Sequence, residues 1–212
     1  MRRAIITYFA LGGLFGPILF TITTLICASL RSDYKHVHDF ISELGATGTP
    51  NAELMNWIGF IPSGILLATF GLSLTLLLPK QFFARTASVL IILFGVGVTV
   101  VGFISCDEGC PRDGSLENNI HDQISGPIFL CAILGCLTLG FVFKRLTDWR
   151  RLWLYSICSA ILSFCFLIAL INSLDSNSFT GIWQRLLLLT LFLWFGTVGL
   201  HAYKLWRGRM LV

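Results

Sequence analysis

The sequence predicts an all-α protein, a polytopic bundle of six transmembrane helices with both termini in the cytoplasm. Of its 212 residues, 55% are hydrophobic and only 12% are charged, whereas a soluble domain carries about 25% charged residues. The apolar residues form six runs, each close to or above the ~20 residues that a helix needs to cross a membrane. The charged residues collect between these runs. At this length we expect residues 1–212 to form a single transmembrane domain.

The two signs of charge lie on opposite sides of the predicted bundle. If the six runs cross the membrane, eleven of the fifteen Lys and Arg residues lie on the side of the termini. Ten of the eleven acids lie on the other side, and Asp148 is the exception. The excess of Lys and Arg predicts that the first side is cytoplasmic. The net charge of +4 therefore reflects orientation in the plasma (inner) membrane, and we expect membrane lipids, and no nucleic acid, as partners.

Helix one is expected at about residues 5–30. Its apolar run is about twice as long as that of a secretory signal and ends without a cleavage site, so we interpret it as a retained helix. Gly12 and Gly16 predict that a neighbouring helix approaches closely. Pro17 predicts a kink, because proline cannot donate a backbone hydrogen bond.

Helix two is expected at about residues 50–78. Thr49 is the predicted N-cap and Pro50 the first helical residue, and Pro62 predicts a break further along. The remaining four helices are expected at about residues 87–105, 115–143, 152–173 and 186–206.

The first outer loop contains a short segment with two faces. On a helix its apolar and polar residues separate, with Phe40, Ile41 and Leu44 on one face and Asp39, Ser42 and Glu43 on another. This pattern predicts a short amphipathic helix at the membrane surface that ends at Gly45.

Histidines and carboxylates gather at the predicted outer surface, where they could supply acid–base groups or metal ligands. The candidate catalytic residues are Ser42, Glu43, His121 and Asp122, and the candidate substrate-binding residues are Asp39, Asn56 and Ser125. The candidate metal ligands are His36, His38 and His121, with zinc as the cofactor to test. We also expect Glu43 or Asp39 to hydrogen-bond to His121 and to keep its imidazole charged. The alternative is a solvated rim in which the acids cap helices.

The second outer loop contains Cys106-x-x-x-Cys110. On the oxidising side of the membrane we expect Cys106 and Cys110 to form a disulfide. The alternatives are a pair of zinc thiolates completed by His121 or acids, and free thiols. The other five cysteines lie in apolar runs and are interpreted as small packing residues.

The predicted spans carry no Asp, Glu, Lys or Arg near their centres. Ion-coupled transporters and proton relays place ionisable groups there. The sequence therefore disfavours a transporter of this kind.

The motifs of the outer surface follow one another in order: Ile41-Ser42-Glu43-Leu44-Gly45-Ala46-x-Gly48-x-Pro50, then Asn56-Trp57, an outer cysteine and His121-Asp122. Over nearly the whole chain this layout resembles the prokaryotic membrane proteins grouped as domain of unknown function 998. More remotely it is similar to DRAM-like and GPI-lipid-remodelling membrane proteins, which implies lipid-related work. The resemblance implies no catalytic residues; it marks as positions to test Ser42, Glu43, Gly45, Pro50, Asn56, His121 and Asp122.

These observations favour a lipid-facing site at the outer leaflet that binds or modifies a lipid or a lipid-linked substrate. The alternative is a non-catalytic bundle whose external loops bind a partner protein.

Reporter fusions test the orientation. We expect a reporter fused at residue 80, at residue 148 or at the C-terminus to lie in the cytoplasm, because the Lys and Arg residues collect on that side. Fusions near Gly48 and Gly114 are expected to lie on the opposite side. The reversed pattern would contradict the orientation.

Overall fold

The computed structural model describes residues 2–174 and 178–210. Among them are six helices long and apolar enough to cross a membrane, and no strand, which confirms the predicted all-α class. We number these spans in chain order: Ile5–Ser29, Ala52–Leu77, Phe82–Phe103, Leu116–Lys144, Thr147–Ser173 and Thr180–Arg209.

Each span packs against the next one along the chain, and span one also packs against span six, so the spans form a closed bundle. Loop one, residues 30–51, and loop two, residues 104–115, lie together at one end of the bundle. We call this the acidic end. The opposite end, which carries most of the Lys and Arg residues, is the basic end.

Span one consists of two helical pieces, Arg2–Phe9 and Gly12–Ser29. The interruption lies at residues 10–11, and Pro17 lies inside the second piece. The close approach predicted at Gly12 is confirmed, because a β-carbon there would lie 2.1 Å from the carbonyl oxygen of Leu66 in span two.

The predicted start of span two is wrong by two residues. Asn51, with a left-handed φ of 63°, is the N-cap, and the helix begins at Ala52 rather than Pro50. The predicted break at Pro62 is also wrong. The span continues as a short α-helix, Ala52–Leu54, a π-helical segment, Met55–Phe60, and an α-helix, Ile61–Leu77. The chain changes helix type just before Pro62, so the hydrogen bond that proline cannot donate is lost without ending the span.

Spans three and six begin about one and a half turns earlier than the sequence predicts, at Phe82 and Thr180. Hydropathy marks the apolar centre of a helix, whereas its backbone hydrogen bonds continue through Arg85 and Arg185 at the surface. Span four begins at Leu116 after Ser115, whose hydroxyl accepts the N–H of Asn118. The α-helix of span five, Trp153–Ser173, follows a 3₁₀ helix, Thr147–Leu152.

Loop one contains a shorter helix than predicted, a 3₁₀ helix at Ser42–Gly45. Its apolar residues nevertheless face inward as expected. Leu44 is 0% and Ile41 5% exposed. Burying these two side chains fixes the polar neighbours Ser42 and Glu43 at the acidic end of the bundle.

Spans two and three meet through glycine. A β-carbon on Gly95 would lie 2.3 Å from the backbone nitrogen of Ala68, and one on Gly64 would lie 2.6 Å from the carbonyl oxygen of Gly95. We expect Gly95→Val to push the spans apart and to lower the free energy of unfolding by about 1–3 kcal/mol or more. The measurement is the thermal unfolding midpoint of the detergent-purified protein.

Gly208→Val is the matched control, because a β-carbon at Gly208 meets no atom within 4 Å. Equal midpoints for the two variants would contradict this account of the packing.

Candidate functional site

Loops one and two are joined by the amide of Asn56, in the π-helical segment of span two. Its Nδ2 donates to the carbonyl of Gly45 at 2.9 Å and to the hydroxyl of Ser105 at 3.0 Å. A second link is the backbone hydrogen bond from Thr47 N–H to the carbonyl of Cys106 at 2.8 Å. Asn56 therefore positions the loops, which differs from the substrate-binding role that the sequence suggests.

Loop two is closed by the predicted disulfide between Cys106 and Cys110. Beside it, one carboxylate oxygen of Asp107 accepts the N–H of Ser115 at 2.6 Å and the other accepts its hydroxyl at 2.8 Å. These hydrogen bonds lower the pKa of Asp107. The buried Asn118 completes the loop by donating to the carbonyl of Pro111 at 2.7 Å. Asn118 was not predicted from the sequence; the signal for it is the Ser-x-x-Asn spacing at the start of span four.

Span six holds the other side of loop one through residues that the sequence analysis also missed. Gln184 accepts the N–H of Ile41 at 2.7 Å. Arg185 donates to the carbonyl of Asp39 at 3.0 Å and also to the hydroxyl of Tyr34. Burial raises the pKa of Tyr34 to about 12, although the neighbouring guanidinium opposes this shift. Loop one is thus fixed to spans two and six at once.

A cavity of about 990 Å³ lies beneath the two loops. We call it the main cavity. Its polar end is lined by Asp39, Ser42, Glu43, Arg112, His121, Asp122, Ser125 and Gln184. The fold therefore brings together all four candidate catalytic residues and two of the three candidate substrate-binding residues.

The rest of the main cavity is apolar, is lined by residues of all six spans, and lies in part between spans four and five. On the basic half these spans touch, since the thiol of Cys136 lies 3.1 Å from the carbonyl oxygen of Ser156. On the acidic half the cavity separates them. Its lining there includes Leu130, Ile168 and Ile171, which are 39%, 44% and 55% exposed. Side chains that face both the cavity and the outer surface mark an opening toward the bilayer.

His121 has a defined orientation at the polar end. It is 5% exposed, and its Nδ1 lies 2.7 Å from the carbonyl oxygen of Ile104. A carbonyl only accepts, so Nδ1 carries a hydrogen, and in the neutral imidazole the lone pair is on Nε2. Nε2 makes no hydrogen bond to any described residue, and it is not fully buried. His121 lines the main cavity, and in its neutral form Nε2 is available as a hydrogen-bond acceptor.

The predicted hydrogen bond between His121 and a loop-one carboxylate is wrong. None of the hydrogen bonds or ion pairs of the described residues joins His121 to Glu43 or Asp39. Glu43 Oε1 instead accepts the N–H of Phe40 at 2.8 Å, and Asp39 accepts the N–H of Lys35 at 2.6 Å. Short loop segments satisfy their own backbone donors first, and the carboxylates remain on the loop side of the cavity.

Ser42 and Ser125 lie at the same polar end but do not form a nucleophile–base pair there. Ser42 Oγ lies 3.5 Å from Cys110 Sγ, and Ser125 Oγ donates to the carbonyl of His121 at 2.7 Å. In the described part of the chain, no hydrogen bond links Ser42 to the imidazole of His121. The arrangement offers a base and several acceptors without a preformed nucleophile.

Glu43 is half-buried, and this burial raises its pKa. Asp39 nearby acts in the same direction. The N–H of Phe40 and the guanidiniums of Arg31 and Arg185 lower the pKa and only partly oppose the effect of burial. The folded protein therefore holds a carboxylate whose charged form is less stable than it would be in water.

The predicted metal site is not formed. Among the described residues, no group of three or more His, Cys, Asp or Glu side chains could hold a metal ion. His36 lines a separate groove of about 590 Å³ between spans one and six, and His38 stacks on Phe179. The third candidate ligand, His121, lines the main cavity. The two cysteines offered as alternative zinc ligands are joined as a disulfide.

A model of the family described as "Protein of unknown function (DUF998)" matches residues 14–201. The chain belongs to the DUF998 family. This confirms the resemblance drawn from the motifs of the acidic end, and the matched stretch contains every residue of the main cavity. No curated protein and no solved structure matches the chain.

The raised pKa of Glu43 predicts how stability depends on pH. As pH rises from about 4, the unfolded chain loses its Glu43 proton first, while the folded chain keeps it, so the free energy of unfolding falls across this interval. We expect Glu43→Gln to raise the thermal midpoint at pH 7 and to have no effect below about pH 4, where both states are protonated. Thermal unfolding across this pH range is the measurement.

Glu108→Gln removes an exposed carboxylate from loop two and is the matched control. A midpoint that Glu43→Gln leaves unchanged at pH 7, or lowers there, would contradict the burial argument.

Proposed function

We propose that this DUF998 protein binds an amphiphile of the membrane, a lipid or a lipid-linked substrate, in the main cavity. The headgroup would contact the polar end, at Ser42, Glu43, His121 and Asp122. The hydrocarbon chain would lie in the apolar part between spans four and five. The observation that carries the proposal is the continuity of these two parts in one cavity of about 990 Å³.

The shape of the cavity supports a ligand that enters from the bilayer. Ligand sites are concave, mostly apolar, and contain a few converging polar groups. Here the polar groups lie at the acidic end, at the depth where a lipid headgroup meets the membrane surface. The exposed apolar side chains of Leu130, Ile168 and Ile171 border the cavity within the apolar spans four and five, where hydrocarbon would contact them.

The charge pattern supports a site on the outer leaflet of the plasma membrane. If the basic end faces the cytoplasm, the loops and the polar end of the main cavity face away from it. The disulfide between Cys106 and Cys110 agrees with this side, because disulfides persist in oxidising compartments.

Chemical modification of the bound amphiphile would use His121 as the base. Its Nε2 accepts a proton, and Asp122, the next residue, stabilises the imidazolium that results. The proposal requires only that the headgroup reach this nitrogen. It therefore rests on binding, and turnover is a further step at the same residues.

Gly126 offers a direct test of the cavity. It lines the main cavity, and a β-carbon built on it meets no atom within 4 Å. We expect Gly126→Trp to fill the cavity and to reduce binding of membrane lipid at least tenfold, because the indole occupies the ligand's volume. Native mass spectrometry of the detergent-purified protein with added lipid measures the binding.

Two controls separate filling of the cavity from other effects. Gly126→Ala introduces a β-carbon before Pro127, with the same backbone restriction, but leaves most of the volume free. Gly208→Trp adds an indole at a residue that is equally open but lies outside the main cavity. Unchanged lipid binding by Gly126→Trp would contradict the proposal. Loss of a bound protein partner without loss of lipid would instead favour loops that recognise protein.

A further inference from the structure

The polar end of the main cavity presents mainly hydrogen-bond acceptors. His121 lines the cavity and donates from Nδ1 to the carbonyl of Ile104, so in its neutral form Nε2 carries a lone pair without a partner among the described residues. The hydroxyl proton of Ser125 is committed to the carbonyl of His121 at 2.7 Å, so its oxygen is left to accept. A ligand that satisfies these two groups must bring hydrogen-bond donors.

The same end is also negatively charged. Three carboxylates line it, from Asp39, Glu43 and Asp122, and the described lining contains a single guanidinium, that of Arg112. Glu43 uses Oε1 to accept the N–H of Phe40, while Oε2 has no partner among the described residues and is not fully buried. Burial already disfavours this charge, so a positive group beside it would restore part of the lost stabilisation.

We infer that the headgroup bound at this end carries a primary ammonium group, as in phosphatidylethanolamine. An ammonium supplies a positive charge and three N–H donors, which match the carboxylates and the nitrogen of His121. The phosphate of the same headgroup would lie toward Arg112. This inference rests on the proposed function, since it names the headgroup of the amphiphile that the cavity binds.

Three lipids with the same acyl chains separate charge from hydrogen bonding. Phosphatidylethanolamine has an ammonium with N–H donors, phosphatidylcholine has the same charge without donors, and phosphatidylglycerol has a net negative charge. We expect the dissociation constant to be lowest for phosphatidylethanolamine and about tenfold or more higher for the other two, because charge-assisted hydrogen bonds are lost. Native mass spectrometry with each lipid gives the three constants.

Glu43→Gln and Asp122→Asn keep the shape of the side chains and remove one charge each. We expect each substitution to weaken binding of phosphatidylethanolamine about tenfold. Neither should weaken the binding of phosphatidylglycerol. Glu108→Gln and Asp113→Asn remove exposed acids of loop two that do not line the main cavity, and they should change nothing. Glycerophosphoethanolamine, which has the headgroup but no chains, should compete only weakly.

The outcomes distinguish this inference from the proposed function. If Gly126→Trp abolishes binding of all three lipids while the natural protein binds them equally, the headgroup assignment is wrong and the lipid cavity stands. If Gly126→Trp changes nothing, the lipid cavity itself is wrong. If glycerophosphoethanolamine binds as tightly as the lipid, the site recognises a soluble amine and the lipid form of the inference fails.

Discussion

The acidic end of this protein depends on one side-chain amide. Asn56 donates to the carbonyl of Gly45 in loop one and to the hydroxyl of Ser105 beside loop two, and it does so from a π-helical segment. Such segments are rare and recur at functional sites. Glycine is required at position 45, because a β-carbon there would lie 2.2 Å from the Oδ1 of Asn56. With the two loops joined in this way, Ser42 and Glu43 are held opposite His121 over a single cavity.

The bundle is asymmetric along its length. On the basic half, spans four and five pack together, and a β-carbon on Gly140 would lie only 2.8 Å from Ile157. On the acidic half they diverge, and the open space at Gly126 lies between them. In a bilayer such a gap does not remain empty, because lipid chains surround the protein and are as apolar as its lining. In the proposed function, this divergence is where the hydrocarbon chain would enter.

Glu43 is less solvated than an acid at the surface of a loop. The charged form of a carboxylate is most stable when water surrounds it. Glu43 is partly removed from solvent, and this burial raises its pKa. Groups with perturbed pKa values cluster at functional sites, where a ligand can provide the charge or hydrogen bond that the fold does not provide. Glu43 lines the same cavity as His121, so the main cavity contains a partly desolvated carboxylate and an imidazole.

The sequence alone determined the six spans, the acidic end, the disulfide and most of the polar residues of the main cavity, because apolar runs, charge asymmetry and motif residues are local signals. It did not determine which polar groups pair. The expected partner of His121 was a carboxylate, whereas its partner in the structure is the backbone carbonyl of Ile104. Every residue has a backbone carbonyl, so residue types do not indicate which one accepts a hydrogen bond. Gln184 and Arg185, which fix loop one, are distant in sequence from it. Only the tertiary structure decided that His36 and His38 lie apart from His121, because separations between helices depend on packing that hydropathy does not encode.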